Sequence, residues 1–150
     1  GQLRTVWSYG NAGKVTETGA EVGANYYFTD AWSVGVNYAY FDFSIVEQSP
    51  GDPIQPNAPR HKMNATITYR EARFEGSVGV KVMPSFDWAA GIYQGRILAY
   101  TLVNLAASYR ITNQVQLALN VANLLDREHY EIFGGSLLRR RAIASTTVTF

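Results

Sequence analysis

The sequence predicts an all-β chain, an antiparallel up-and-down transmembrane β-barrel of about eight strands, and three observations carry that prediction. Apolar and polar residues alternate in segment after segment with no helical period anywhere. The segments are joined alternately by tight turns and by long loops. Several segments reach roughly 10–13 residues, against ~5–6 for an average soluble strand, and that is the length a tilted membrane strand needs.

In order along the chain, Gln2 to Ser8 reads as a short strand and Tyr9 to Gly13 as a turn rich in residues that tolerate positive φ. From Lys14 to Phe28, Thr16, Thr18, Ala20, Val22, Ala24, Tyr26 and Phe28 share one face, with Glu17, Gly19, Glu21, Gly23 and Asn25 opposite. After a tight turn at Thr29-Asp30-Ala31, Trp32, Val34, Val36, Tyr38 and Tyr40 restart the apolar face. Ile45 to Pro59 holds four of the five prolines and reads as a long loop. His61, Met63, Ala65, Ile67 and Tyr69 then alternate with Lys62, Asn64, Thr66 and Thr68. A turn at Arg70-Glu71 leads to Phe74, Val78, Val80 and Val82. Met83 to Gly95 is a second predicted loop, Ile97 to Tyr109 a strand, Ile111 to Gln114 a turn, and Val115 to Val121 a strand. A third loop, Asn123 to Leu138, leads into the last strand, Arg139 to Phe150, where Arg140, Ala142, Ala144, Thr146, Val148 and Phe150 share a face.

Alternation alone does not say which face looks inward, since a soluble barrel is apolar inside and a membrane barrel is apolar outside. Aromatic residues tilt the choice. Tyr26, Phe28, Trp32, Tyr69, Phe74, Tyr109 and Phe150 all fall at the tight-turn end, as an interfacial girdle on the periplasmic side requires. A looser group toward the long loops comprises Trp7, Tyr9, Tyr40, Tyr100 and Tyr130. The opposite face carries Gly, Ala, Ser, Thr and Asn besides charges, which suits a lumen wall. Short turns on one side and long loops on the other match periplasmic turns and outer loops. No run approaches the ~18 apolar residues of a spanning helix. A chain that opens at Gly1, with no initiator Met, reads as a mature protein or an excerpt.

A formal charge of +1 gives no reason to expect nucleic acid, and zero cysteines exclude disulfides and thiolate metal sites. The two histidines, His61 and His129, lack a metal-ligand spacing, no serine sits in a nucleophile motif, and no cofactor fingerprint is present. Asp126, Arg127 and Glu128 read as loop-ordering partners, and the chain as no enzyme. Arg139, Arg140 and Arg141 fall at the outer rim, with Arg140 facing outward where lipid phosphates would be met; a solvated strand end is the plainer alternative.

Residues 118–130, ALNVANLLDREHY, followed by RRRAIASTTVTF, resemble the C-terminal segment of TonB-dependent receptors. The matching positions are Asn123, Leu124, Leu125, Asp126, Arg127, His129, Tyr130 and Phe150, with Leu125 where Phe is more usual. NAGKVTETGAEVGANYYFTDAWSVGVNYAY and NAPRHKMNATITY resemble the family's upstream hairpin and its entry to a descending strand. The resemblance implies a 22-stranded barrel of which this chain is the C-terminal portion. It implies as partners outer-membrane lipids, the plug and remaining strands, the TonB energising system and a small scarce nutrient. It implies that Phe150, with Val148 and Thr146, is read by the barrel-assembly machinery. Two rival architectures share the pattern: a complete eight-stranded barrel for adhesion or structure, and a soluble ligand-binding barrel. An outer-membrane enzyme ranks behind both.

Overall fold

The structure is a computed structural model, and it describes residues 11, 13–50 and 53–150. The predicted first strand, with Trp7 and Tyr9, lies outside the described residues. Among the described residues there are nine strands and no α-helix: β1 (Gly13–Tyr27), β2 (Trp32–Gln48), β3 (His61–Glu71), β4 (Phe74–Met83), β5 (Phe86–Ala90), β6 (Tyr93–Ile97), β7 (Tyr100–Arg110), β8 (Val115–Ala122) and β9 (Arg141–Val148). Seven of them form one antiparallel sheet in the order β1-β2-β3-β4-β7-β8-β9, and β5 pairs only with β6. Among the described strands the sheet is an open wall, with β1 and β9 as its two edges.

Each departure from the predicted pattern has a local cause. The predicted loop from Met83 contains the β5–β6 hairpin, in which Gly91 (φ 57) supplies the left-handed turn residue between Phe86-Asp87-Trp88 and Tyr93-Gln94-Gly95. Strand β2 runs on to Gln48 because β1 continues opposite it, with an irregularity where Val15 pairs with Ile45. The turn predicted at Arg70-Glu71 moves to Ala72-Arg73, since Arg70 and Glu75 face each other as an ion pair (2.9 Å) and the Tyr69 hydroxyl donates to Glu71. The Arg70–Glu75 pair spans β3 and β4 and holds the ladder two residues further.

Register keeps the two faces distinct across the whole wall. Ala24, Val36, Ala65, Val80 and Val103 follow one another on the apolar face, while Gly23, Asn37, Asn64 and Lys81 follow on the polar one. Few side chains are buried, since a single sheet has no second layer: Ile97, Leu102 and Val121 are buried, whereas Val22, Tyr26, Leu117 and Leu119 stay exposed. The pattern inverts at the top of β2. Up to Tyr40 the even-numbered residues are apolar, but above it the odd-numbered Phe41, Phe43 and Ile45 take over, and Asp42 on the other face pairs with Arg60 at 3.2 Å.

At the other end, the aromatic residues do not share a rung. Trp32 lies opposite Tyr69, but Tyr69 lies opposite Gly76, two residues from Phe74. Phe74 lies opposite Tyr109, Tyr109 opposite Leu117, two residues from Val115, and Val115 opposite Val148, two residues from Phe150. The aromatic end therefore slips six residues in one direction across the five steps from β2 to β9. At about 3.3 Å per residue and about 4.8 Å per strand, that slip is about 20 Å along against about 24 Å across. The line through the aromatics is inclined by about 40°, within the ~35–45° strand tilt of membrane barrels. Once the wall is tilted to that angle, the staggered rungs become one level.

Candidate functional site

The three long connections emerge from the same end of the wall and are tied to one another. Pro-rich residues 53–60 reach the hairpin through Asn57, whose amide accepts from the Ala89 N–H (2.8 Å) and donates to the Ala89 carbonyl (2.9 Å), so one side chain serves as a strand partner for β5. Asn57 sits at φ 53, a conformation Asn adopts more readily than most residues. The hairpin meets residues 123–138 where the Phe133 ring lies flat on Gly95; a Cβ there would stand 2.0 Å from the ring. Gly134, at φ 75, sits against Tyr93 in the same contact.

Residues 123–138 are fastened to the wall by their own motif. Asn123, 2% exposed and at φ 56, accepts from the Arg127 N–H (2.9 Å) and donates to the Arg127 carbonyl (2.7 Å), while its own N–H donates to Asn104 on β7 (2.9 Å). Asp126 accepts from the Arg140 N–H at 2.8 Å, and Glu128 pairs with Arg139. The loop-ordering roles expected of Asp126, Arg127 and Glu128 are thus visible bond by bond. Further along, Glu131 Oε1 receives Lys81 Nζ at 3.6 Å and the Tyr100 hydroxyl at 3.4 Å, with His129 Nε2 at 3.9 Å.

Two hollows lie among these connections. One, of about 730 Å³, is bounded by Arg96, Tyr100, His129, Tyr130, Phe133 and Leu137. The other, of about 570 Å³, lies against Phe41, Phe43 and Ile45, with Arg60 and Asp87 at its edge. Each combines aromatic or aliphatic walls with one or two charged groups, the general character of a small-molecule site. Among the described residues, no group of three or more His, Asp or Glu side chains could hold a metal ion.

The predicted aromatic set is partly in contact. Trp32 and Tyr69 rings lie 4.8 Å apart, Tyr69 and Phe74 6.2 Å, and Tyr26 and Phe28 5.0 Å. Phe150 and Val148 follow the ladder of β9, with the Thr149 N–H donating to Gln114 (2.9 Å) and Thr146 opposite Leu117. Arg141 begins β9 on the polar face opposite Ala122, and the Arg140 guanidinium reaches the Leu124 carbonyl at 3.5 Å. Tyr40 stacks on His61 at 5.3 Å on the apolar face. Tyr100, grouped with Tyr40 from sequence, sits instead on the polar face, opposite Met83 and 4.6 Å from the His129 ring. Parity on β7 was the available signal: Tyr100 shares its face with Asn104 and Ser108. Sequence reading missed Glu131, Asn57 and Phe133, whose partners lie 31, 32 and 38 residues away or on another loop.

An antiparallel wall with one apolar and one polar face, staggered aromatic ends and long connections gathered at a single end is a segment of a large up-and-down barrel. Residues 1–124 match the family described as "TonB dependent receptor-like, beta-barrel", and the chain belongs to that family. It is 28% identical over 144 residues to a probable TonB-dependent receptor, BfrD, of Bordetella pertussis, covering 79% of this chain and 18% of that protein. It is 25% identical over 147 residues to a probable TonB-dependent siderophore receptor, PiuA, of Acinetobacter baumannii, covering 82% and 18%. Among solved structures, the copper transporter OprC superposes with a TM-score of 0.73 at 18% identity, over 91% of this chain and 24% of that one. The PiuA crystal structure gives 0.67 at 21%, over 89% and 22%. The chain therefore spans about a fifth of the length of these relatives. An eight-stranded barrel closed on itself and a soluble ligand-binding barrel are not favoured, for the sheet of described strands is open and the relatives are receptors several times longer.

Proposed function

We propose that this chain is the C-terminal barrel portion of a TonB-dependent receptor in a bacterial outer membrane, non-enzymatic, that takes up a scarce nutrient by energy-coupled transport. The observation that carries this reading is the slip of the aromatic ends, which becomes one level at the tilt of a membrane barrel. Its apolar face meets outer-membrane lipid, with Tyr26, Phe28, Trp32, Tyr69, Phe74, Tyr109 and Phe150 at the periplasmic boundary. The inversion above Tyr40 marks the outer boundary, eight residues along β2 from Trp32, or about 20 Å of height at that tilt. The polar face lines the lumen, and the crown of tied loops contributes to a ligand-facing entrance, for a siderophore, vitamin, oligosaccharide or peptide.

The remaining partners follow from that position. Edges β1 and β9 are completed by the other strands of the same barrel, since unpaired backbone is not tolerated in hydrocarbon. A plug and the TonB system serve the whole receptor, and Thr146, Val148 and Phe150 are read by the assembly machinery. Arg140 falls just above the outer boundary and meets lipid phosphate, with Arg139 and Arg141 beside it on the polar face. An antibody against residues 139–150 tests the reading on outer membranes of the source cell. A protein several times heavier than 16.7 kDa is expected, and a band at 16.7 kDa would overturn it.

A further inference from the structure

We propose that Lys81 and Tyr100 form an anion-binding subsite for a ligand that carries its negative charge on an aromatic body, and that Glu131 occupies this subsite as a built-in competitor. Both donors stand on the polar face, Lys81 on β4 opposite Leu102 and Tyr100 on β7 opposite Met83, with the ammonium 6.0 Å from the centre of the phenol ring. They converge on a single atom. Lys81 Nζ lies 3.6 Å from Glu131 Oε1 and the Tyr100 hydroxyl 3.4 Å, whereas charge-assisted bonds ordinarily close to about 2.5–2.9 Å. The carboxylate is near both donors and well bonded to neither.

The other acids of residues 123–138 supply the contrast. Asp126 accepts from the Arg140 N–H at 2.8 Å and Glu128 pairs with Arg139, so both are bonded to the start of the last strand. Glu131 reaches across to β4 and β7 instead, and its side chain is 45% exposed against 36% for Lys81, so water already competes for the contact. A ligand carboxylate, sulfonate or phosphate can take its place without unmaking any rung of the ladder. The surroundings select what carries that anion. Tyr100 is also a wall of the 730 Å³ hollow, where Tyr130, Phe133 and Leu137 supply apolar surface and Arg96 a second cation. The His129 ring, 4.6 Å from that of Tyr100, adds to the aromatic lining. Arg96 donates to Ser85 at 2.9 Å, while Asp87, its cross-strand neighbour, lines the other hollow. With Glu131 displaced, Lys81 and Arg96 both remain to meet negative charge.

The subsite deepens the uptake reading and rests on it, but its test needs neither transport nor energy, so the two fail separately. Pyrenetetrasulfonate, an aromatic polyanion too polar to enter detergent micelles, is titrated into the detergent-embedded whole receptor at fixed ionic strength, and its fluorescence anisotropy gives Kd. Glu131→Gln should tighten binding roughly 1.5- to 5-fold, the range of an exposed ion pair that no longer competes. Lys81→Gln should weaken it by a similar factor, and Lys81→Arg should restore it. The double variant separates competition from overall charge: on the Lys81→Gln background, Glu131→Gln should lose most of its gain, because the carboxylate competes chiefly for Lys81. A long-range effect of charge would give the same gain with or without Lys81. No binding to either the unaltered receptor or Glu131→Gln, weaker binding in Glu131→Gln, unchanged binding in Lys81→Gln, or an equal gain on both backgrounds would each overturn the subsite.

Discussion

In the wall the backbone ladder orders the side chains, whereas in the crown a few side chains order the backbone. From β2 to β4, paired rungs set Val36 beside Ala65 and Ala65 beside Val80, and no single side chain decides where the strands lie. In the crown, residues 123–138 have no strand of their own beyond one bridge between His129 and Leu138, and Asn123, Asn57, Glu131 and Phe133 hold what the ladder does not. The difference teaches where damage will spread. A substitution in the wall acts through the environment of a face, and one in the crown through a particular bond. Perturbing each region therefore distinguishes the two modes of construction.

The largest effect is expected on the apolar face of the wall. Val36→Lys or Leu119→Lys puts an ammonium among lipid chains and should cost about 2–4 kcal/mol, whereas Thr66→Lys on the polar face should cost well under half of that. Urea unfolding of the receptor in lipid vesicles measures both. Equal losses at the two faces would dissolve the distinction between lipid side and lumen side.

Next comes the motif that fastens the crown. Asn123→Ala removes the two hydrogen bonds of its side-chain amide, both to Arg127, in a buried site and places Ala at φ 56, which together should cost about 2–3 kcal/mol of local stability. The Asn123 N–H keeps its bond to Asn104, so the loss is confined to the Arg127 end. Hydrogen exchange at the Arg127 amide should accelerate while amides of β3 and β4 hold their protection. Asn123→Gly loses the same amide but adopts φ 56 without strain, so the gap between the two variants isolates the backbone cost, and the loss that remains in Asn123→Gly is that of the side chain. If β3 and β4 lose protection together with Arg127, crown and wall are one cooperative unit.

These two regions also differ in how far the sequence discloses them. Period-2 alternation is a local property, so the strands of the wall, their faces and most of their turns were legible. Where they shifted, as at Ala72-Arg73, the deciding bonds were cross-strand, between Arg70 and Glu75, which local turn chemistry does not encode. The aromatic ends were legible as a set, but their stagger was not, because register belongs to pairs of strands. In the crown, Gly91 hid a hairpin inside a stretch that composition reads as loop, and the Glu131 junction joins β4, β7 and residues 123–138, far apart in the chain. The Asn123 clasp was half visible: the resemblance picked out its residues, and only geometry showed what each one holds.

A smaller effect is expected where the hairpin meets the third loop. Gly95→Ala drives a methyl into the Phe133 ring, and the ring must leave the hairpin, at a cost of about 1–3 kcal/mol confined to that contact. Limited proteolysis should then nick residues 123–138 faster. Phe133→Ala added to Gly95→Ala should leave the rate where Phe133→Ala alone puts it, since the clash has no second participant. Additive rates would mean that Gly95 matters for another reason.

The smallest effect should come from Arg139→Gln, which breaks the pair with Glu128. Both side chains are half exposed or more, so water and salt already screen their attraction, and the loss should be ~0.2–1 kcal/mol, shrinking as salt rises to 1 M. Arg140 sets a sharper contrast. Its N–H is held by Asp126, so Arg140→Ser keeps the backbone bond and removes only the guanidinium. If that group meets lipid phosphate, Arg140→Ser should lower lipopolysaccharide co-purification while Arg139→Gln leaves it unchanged. If both variants alter it equally, the arginines act through the net charge of the rim, and the facing of β9 contributes nothing to lipid contact.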